Sequence, residues 1–162
     1  MSIVYMRQKQ YEPALVEIER AAALDPNEAV SYAVLAEILS RAGRLEDALG
    51  AAEKALHLQS SGGLDQHLYF IGSAYYLTGR PEEAIAPLKR YLSHYPNLLG
   101  AHLTLAAVYG ELGREAEARD ETKEVLRLNP NFSLEVHKQR EPIKDPAVLE
   151  RQLAALRKAG LK

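Results

Sequence analysis

Residues 68–96 read LYFIGSAYYLTGRPEEAIAPLKRYLSHYP, and the fold turns on this stretch. Leu68, Ile71, Gly72 and Tyr75 recur at helical spacing on one face. Gly79 can take the left-handed backbone that ends a helix. Ala84 and Leu88 stand one turn apart on a second helix, and Pro96 stops it. The same marks recur along the chain. Gly-Arg pairs stand at Gly43-Arg44, Gly79-Arg80 and Gly113-Arg114, with offsets of 36 and 34. Ala14, Ala48, Ala84 and Ala118 follow offsets of 34, 36 and 34. Pro26, Ser60, Pro96 and Pro130 repeat those three offsets. The series thus share one period and one two-residue insertion, near Ser61-Gly62-Gly63-Leu64. Such self-similarity is the mark of stacked repeats.

A 34-residue period with this order of small, apolar and proline positions resembles the tetratricopeptide repeat. The fourth unit carries it in His102, Leu105, Ala106, Tyr109, Ala118, Thr122 and Pro130; the second in Tyr32, Leu35, Ala36, Leu39, Ala48, Ala52 and Ser60. The family's tryptophan is missing, and Tyr91 replaces a usual small residue. The resemblance implies an all-α fold, a right-handed α-α solenoid superhelix. Its units are a partial repeat at 1–28 and repeats at 29–62, 65–98 and 99–132. Small residues let paired helices approach, and stacking makes the continuous core that no unit can form alone. Met1, Ser2 and Tyr5 fall at mid-helix phases of the first unit. The chain therefore reads as the C-terminal piece of a longer protein. Pro87, inside a second helix and facing away from the groove, predicts a kink.

After Pro130 the period stops. Residues 133–139 predict a short helix and 140–144 a connector. Asp145-Pro146 predicts an N-cap and first turn. The following stripe of Val148, Leu149, Leu153 and Leu156, ended by Gly160, reads as a capping helix over the open end of the stack. Residues 133–162 carry seven Lys/Arg against four Asp/Glu, while 1–132 carry 13 against 18, so a mildly basic cap meets an acidic body. The segments Phe132-Ser133-Leu134-Glu135, Lys144-Asp145-Pro146 and Leu156-Arg157-Lys158-Ala159-Gly160-Leu161 resemble the C-terminal tails of bacterial repeat regions that follow class III adenylate/guanylate cyclase domains, and those of some repeat-bearing regulators. The cyclase domain is absent, so no nucleotide chemistry transfers.

Composition narrows function. The chain has 162 residues, 47% hydrophobic and 26% charged, with net charge −2. It has no global basic footprint for nucleic acid or anionic membrane. The absence of Cys excludes a disulfide framework, a zinc ribbon and a cysteine nucleophile. No apolar run approaches the ~20 residues of a membrane span. A cytoplasmic chain is expected. His57, His67, His94, His102 and His137 never pair at a spacing of three or four, so no metal site or cofactor is expected. Glu46-Asp47 and Glu82-Glu83 suit the starts of second helices rather than acid–base catalysis. Gly62-Gly63 lacks the Lys-Ser/Thr of a phosphate loop. No enzyme is expected.

What remains is the concave face. In the resembling family the first helices line it. The inward phases here are Val30, Ala33 and Glu37, then Gln66, Tyr69, Phe70, Ser73 and Tyr76, then Gly100, Leu103, Thr104 and Ala107. Tyr69, Phe70 and Tyr76 are the candidate anchors. They either contact a ligand or pack against adjacent helices or a cap. The family's Lys/Asn/Arg carboxylate clamp is replaced by Ala33, Glu37, Phe70, Gly100 and Thr104, so acidic chaperone tails are not expected ligands. The reading is a non-catalytic interaction scaffold for a peptide or helical segment. Self-association through Ile3, Val4 and Tyr5 of the first unit is the rival, and a regulatory tail of a larger chain is the third.

Overall fold

The computed structural model describes residues 1–58 and 64–162. Ser60 and most of the expected insertion, including Gly62-Gly63, lie outside the described residues. Among the described residues four helix pairs follow in order: α1 (Ser2–Arg7) with α2 (Tyr11–Leu24), α3 (Ala29–Arg41) with α4 (Leu45–His57), α5 (Leu68–Leu77) with α6 (Pro81–His94), and α7 (Leu99–Glu111) with α8 (Glu115–Leu128). A one-turn 3-10 helix, Leu64–His67, leads into α5. Two tail helices follow, α9 (Leu134–Arg140) and α10 (Pro146–Lys158). Among the described residues, all regular structure is helical. The architecture is an α-α solenoid.

The period marks become packing. Ala14, Ala48, Ala84 and Ala118 are all essentially inaccessible. A methyl side chain there lets each second helix sit close against its neighbours. At Gly72 a Cβ would strike the Leu88 side chain, so this glycine sets the approach of α5 to α6. Ile71, Leu88, Leu105 and Val108 fill the centre at 0% exposure. Each such side chain contributes about 1.5–3 kcal/mol of burial.

The Gly-Arg pairs end the first helices. Gly43, Gly79 and Gly113 have φ of 84°, 83° and 70°. Arg44 N–H then donates to the Leu39 carbonyl (2.9 Å) and Gly43 N–H to Ser40 (3.2 Å), the two bonds of a Schellman stop. The arginine side chains also repeat a pattern. Arg44 pairs with Asp47 (2.8 Å) and with Glu19 of the preceding unit (3.7 Å). Arg80 pairs likewise with Glu83 (3.9 Å) and Glu53 (3.5 Å). These exposed pairs contribute little to stability. The first unit makes the same stop without glycine. Lys9 takes φ 60°, and the Gln10 and Lys9 N–H groups donate to the Tyr5 and Met6 carbonyls. Pro87 sits half-buried inside α6, which runs from Pro81 to His94.

His102 clasps the last unit. Its Nδ1 meets Glu121 Oε2 at 2.6 Å and its Nε2 meets the Pro96 carbonyl at 2.9 Å. Both partners are acceptors, so the ring is best served as a doubly protonated imidazolium. Burial opposes that charge. The hydrogen bonds to Glu121 and Pro96, with the charges of Glu121 and Glu124, overcome it, so the pKa is raised.

Two outcomes follow for thermal melts. Left-handed backbone costs an L-residue about 1–2 kcal/mol relative to glycine, partly offset by glycine's unfolded-state entropy. Lys9→Gly should therefore raise the melting temperature by about 2 °C. His102 contributes stability fully below its ordinary pKa and loses it as pH rises through the raised value. Parent stability should fall across that window, and the fall should shrink in His102→Asn.

Candidate functional site

The first helices α3, α5 and α7 lie side by side, and their inward positions form rows. Ala33, Tyr69 and Leu103 occupy one row, Glu37, Ser73 and Ala107 the next, and Ser40, Tyr76 and Gly110 a third. This is the concave face the sequence assigned to a ligand. In the structure it is already covered, by the chain's own tail.

The tail follows a hairpin path. After α8, Phe132 and α9 run beside α7, where Leu99, Leu103, Phe132, Val136 and His137 border a cavity of about 160 Å³. The end of α9 reaches the first unit, where Lys9 Nζ donates to the Gln139 carbonyl at 3.4 Å. Glu141 pairs with Arg41, and Lys144 N–H caps α3 by donating to the Arg41 carbonyl at 2.8 Å. Then α10 turns back. The Asp145 side chain caps it by accepting from Ala147 N–H at 2.8 Å. Arg151 Nη2 donates to the Tyr76 and Leu77 carbonyls (2.6 and 3.1 Å), which neutralises the open end of α5. Thr122 donates to the Ala159 carbonyl at 3.0 Å. Leu134 N–H donates to the Lys162 carbonyl at 2.9 Å and closes the hairpin.

Gly110 explains how α10 gets so close. A Cβ there would land on the Ala155 carbonyl oxygen. Where the other units carry Ser40 and Tyr76, this one leaves room for a helix backbone. α10 packs chiefly on α7 and extends across the concave face as well as the end of the stack.

The assigned groove residues divide accordingly. Ala33, Glu37, Ser73, Leu103, Thr104 and Ala107 are buried, Val30 is half-buried and Gln66 is exposed. Thr104 turns its hydroxyl back to the Gly100 carbonyl at 2.9 Å. Tyr76 is 1% exposed, under Arg151, whose guanidinium lies 5.3 Å from the ring centre. It is a packing residue of the tail interface and not an open anchor. Burial first, then the charge of Glu111, raises its pKa. Tyr69 and Phe70 stay half-buried, with ring centres 5.6 Å apart, and Tyr69 also stacks toward Tyr91 at 6.0 Å. They line an open cavity of about 280 Å³ at the first-unit end of the groove, with Arg7, Glu37 and Arg41 on the groove side and residues 140–142 on the tail side.

The electrostatic centre of this region was not foreseen. Arg41 Nε bonds Glu37 Oε1 at 2.6 Å while the same guanidinium pairs with Glu141. Burial opposes the charge of Arg41, and Glu37 and Glu141 overcome it, so its pKa is raised. Burial pushes Glu141 up, but Arg41 and His137 dominate and its pKa is lowered. Glu37 Oε2 is buried with no hydrogen-bond partner. The spacing of Glu37 and Arg41 by four on one helix was the available signal. Glu141, Arg151 and Gly110 gave none. Among the described residues, no cluster of His, Asp and Glu could hold a metal.

The family described as anaphase-promoting complex, cyclosome, subunit 3 matches residues 42–125, just over half of the chain, and a tetratricopeptide repeat family matches 29–54. The chain belongs to the tetratricopeptide-repeat family. It is 40% identical over 70 residues to human tetratricopeptide repeat protein 13, and that match covers 41% of this chain but only 8% of the human protein. Among solved structures it is similar to MamA, at TM-score 0.66 and 20% identity, covering 98% of this chain and 90% of the other. It is also similar to YrrB, titled a TPR protein with an unusual peptide-binding site, at TM-score 0.63 and 18% identity over 95% and 82%. These likenesses show the fold. The tail's resemblance to cyclase-associated regions has no support in these matches. Among the described residues, no helix is long and apolar enough to cross a membrane.

If Gly110 seats α10, Gly110→Ala should destabilise the chain by about 1–3 kcal/mol through overpacking. Tyr76→Ala should cost about 3–5 kcal/mol by cavity formation. Chemical denaturation measures both. Values near zero would mean that α10 does not rest on this face.

Proposed function

We propose that the chain is a non-catalytic protein-interaction module whose concave face receives a peptide or helical segment of a protein partner. The observation that supports this most is the tail itself. The face holds two helical segments through side-chain pairs, backbone caps and apolar contact, the means by which such a face would hold a partner's helix. The peptide-binding site named for YrrB supports the same reading. Half-exposed Tyr69 and Phe70 then replace Tyr76 as the contact aromatics.

Self-association is the second reading. Met1, just before α1, Val4 of α1, and Val16 and Leu24 of α2 are exposed large apolar side chains. Ile3 and Tyr5, in contrast, pack against the core and are less available to a second copy.

Position-specific photo-crosslinking tests the main reading. A photoreactive residue at Phe70 should capture a protein from native lysate, and one at exposed Glu82 at the start of α6 should not. Capture at Glu82 without capture at Phe70 would place recognition elsewhere.

A further inference from the structure

The two halves of the tail are held very differently. In α10, Val148, Leu153, Ala155 and Leu156 are all buried at 7% exposure or less. In α9 only Leu134 is buried, and in the connector only Ile143. Cavities of about 280 and 160 Å³ flank α9 and the connector, bordered by residues of that segment and of the groove. Both cavities open to solvent, so this segment leaves part of its seat uncovered. Its chief polar tie is also exchangeable. When Glu141 leaves, Arg41 keeps Glu37, so no buried charge is stranded.

We propose that residues 133–144 form a displaceable strap, and that the segment replacing it is a partner's amphipathic helix carrying a carboxylate and a large apolar side chain. The inference rests on the reading of the concave face as the binding surface. The carboxylate takes the place of Glu141 on Arg41, with Arg7 beside it. Arg7 borders the cavity and has no ion pair among the described residues. The apolar side chain fills the cavity against Ile3, Met6 and Phe70. The buried, unpartnered Glu37 Oε2 offers an acceptor for an N–H donor on the same helix. α10 remains in place as part of the core.

Hydrogen exchange on the whole chain tests displacement. Amides of residues 138–144 should exchange about a hundredfold faster than those of residues 152–158, as expected of a separately opening segment. Equal protection would overturn the strap. A labelled synthetic peptide of residues 133–144 tests the chemistry. It should bind the Glu141→Gln chain about tenfold more tightly than the parent, the worth of one charge-assisted hydrogen bond released from competition. Equal affinity for both chains, or binding to neither, would overturn the proposal. If that happens while Phe70 still crosslinks a partner, the strap falls and the concave-face reading stands. If Phe70 captures nothing, the underlying reading falls.

Discussion

Arg41 is a cation with a side chain 6% exposed, and a buried charge must be paired where it sits. It is paired twice, by Glu37 one turn earlier on its own helix and by Glu141 a hundred residues later. That second pair fixes where the tail goes. Glu141 draws the end of α9 to the first two units, and Lys144 then caps α3 through the Arg41 carbonyl. From that anchor α10 returns along the concave face, held there by Arg151 and by the close approach at Gly110. One desolvated guanidinium thus fixes where the end of α9 and the connector lie.

Small residues supply the complementary constraint. Gly72 lets α5 meet α6, and Gly110 lets α10 meet α7. The first is a feature of the repeat and the second breaks its pattern. One unit's concave row carries Tyr76, and the next opens a slot beside it. Arg151 then reaches across to the carbonyls at the end of α5. The repeat ladder builds a regular surface, and two or three irregular positions decide what lies on it.

Much of the architecture was legible because it is local. Helix stops at Gly43, Gly79 and Gly113, the alanine series, and the Asp145-Pro146 start of α10 each depend on residues within a turn of one another. The first-unit stop at Lys9 was hidden because a lysine there carries no sign of positive φ. The tail's route was hidden for a deeper reason. Arg41 with Glu141, and Arg151 with Tyr76, are contacts between distant parts of the chain with no periodicity to announce them. The groove residues are assigned by phase, yet phase says only which way a side chain faces. It did not say that Tyr76 would face the chain's own helix.

The most direct test is a double-mutant cycle on Arg41→Met and Glu141→Gln, read by chemical denaturation. A direct buried contact should give a coupling energy of about 1–3 kcal/mol. Additivity within about 0.5 kcal/mol would mean that the two residues do not meet, and that the end of α9 and the connector do not lie against the first two units.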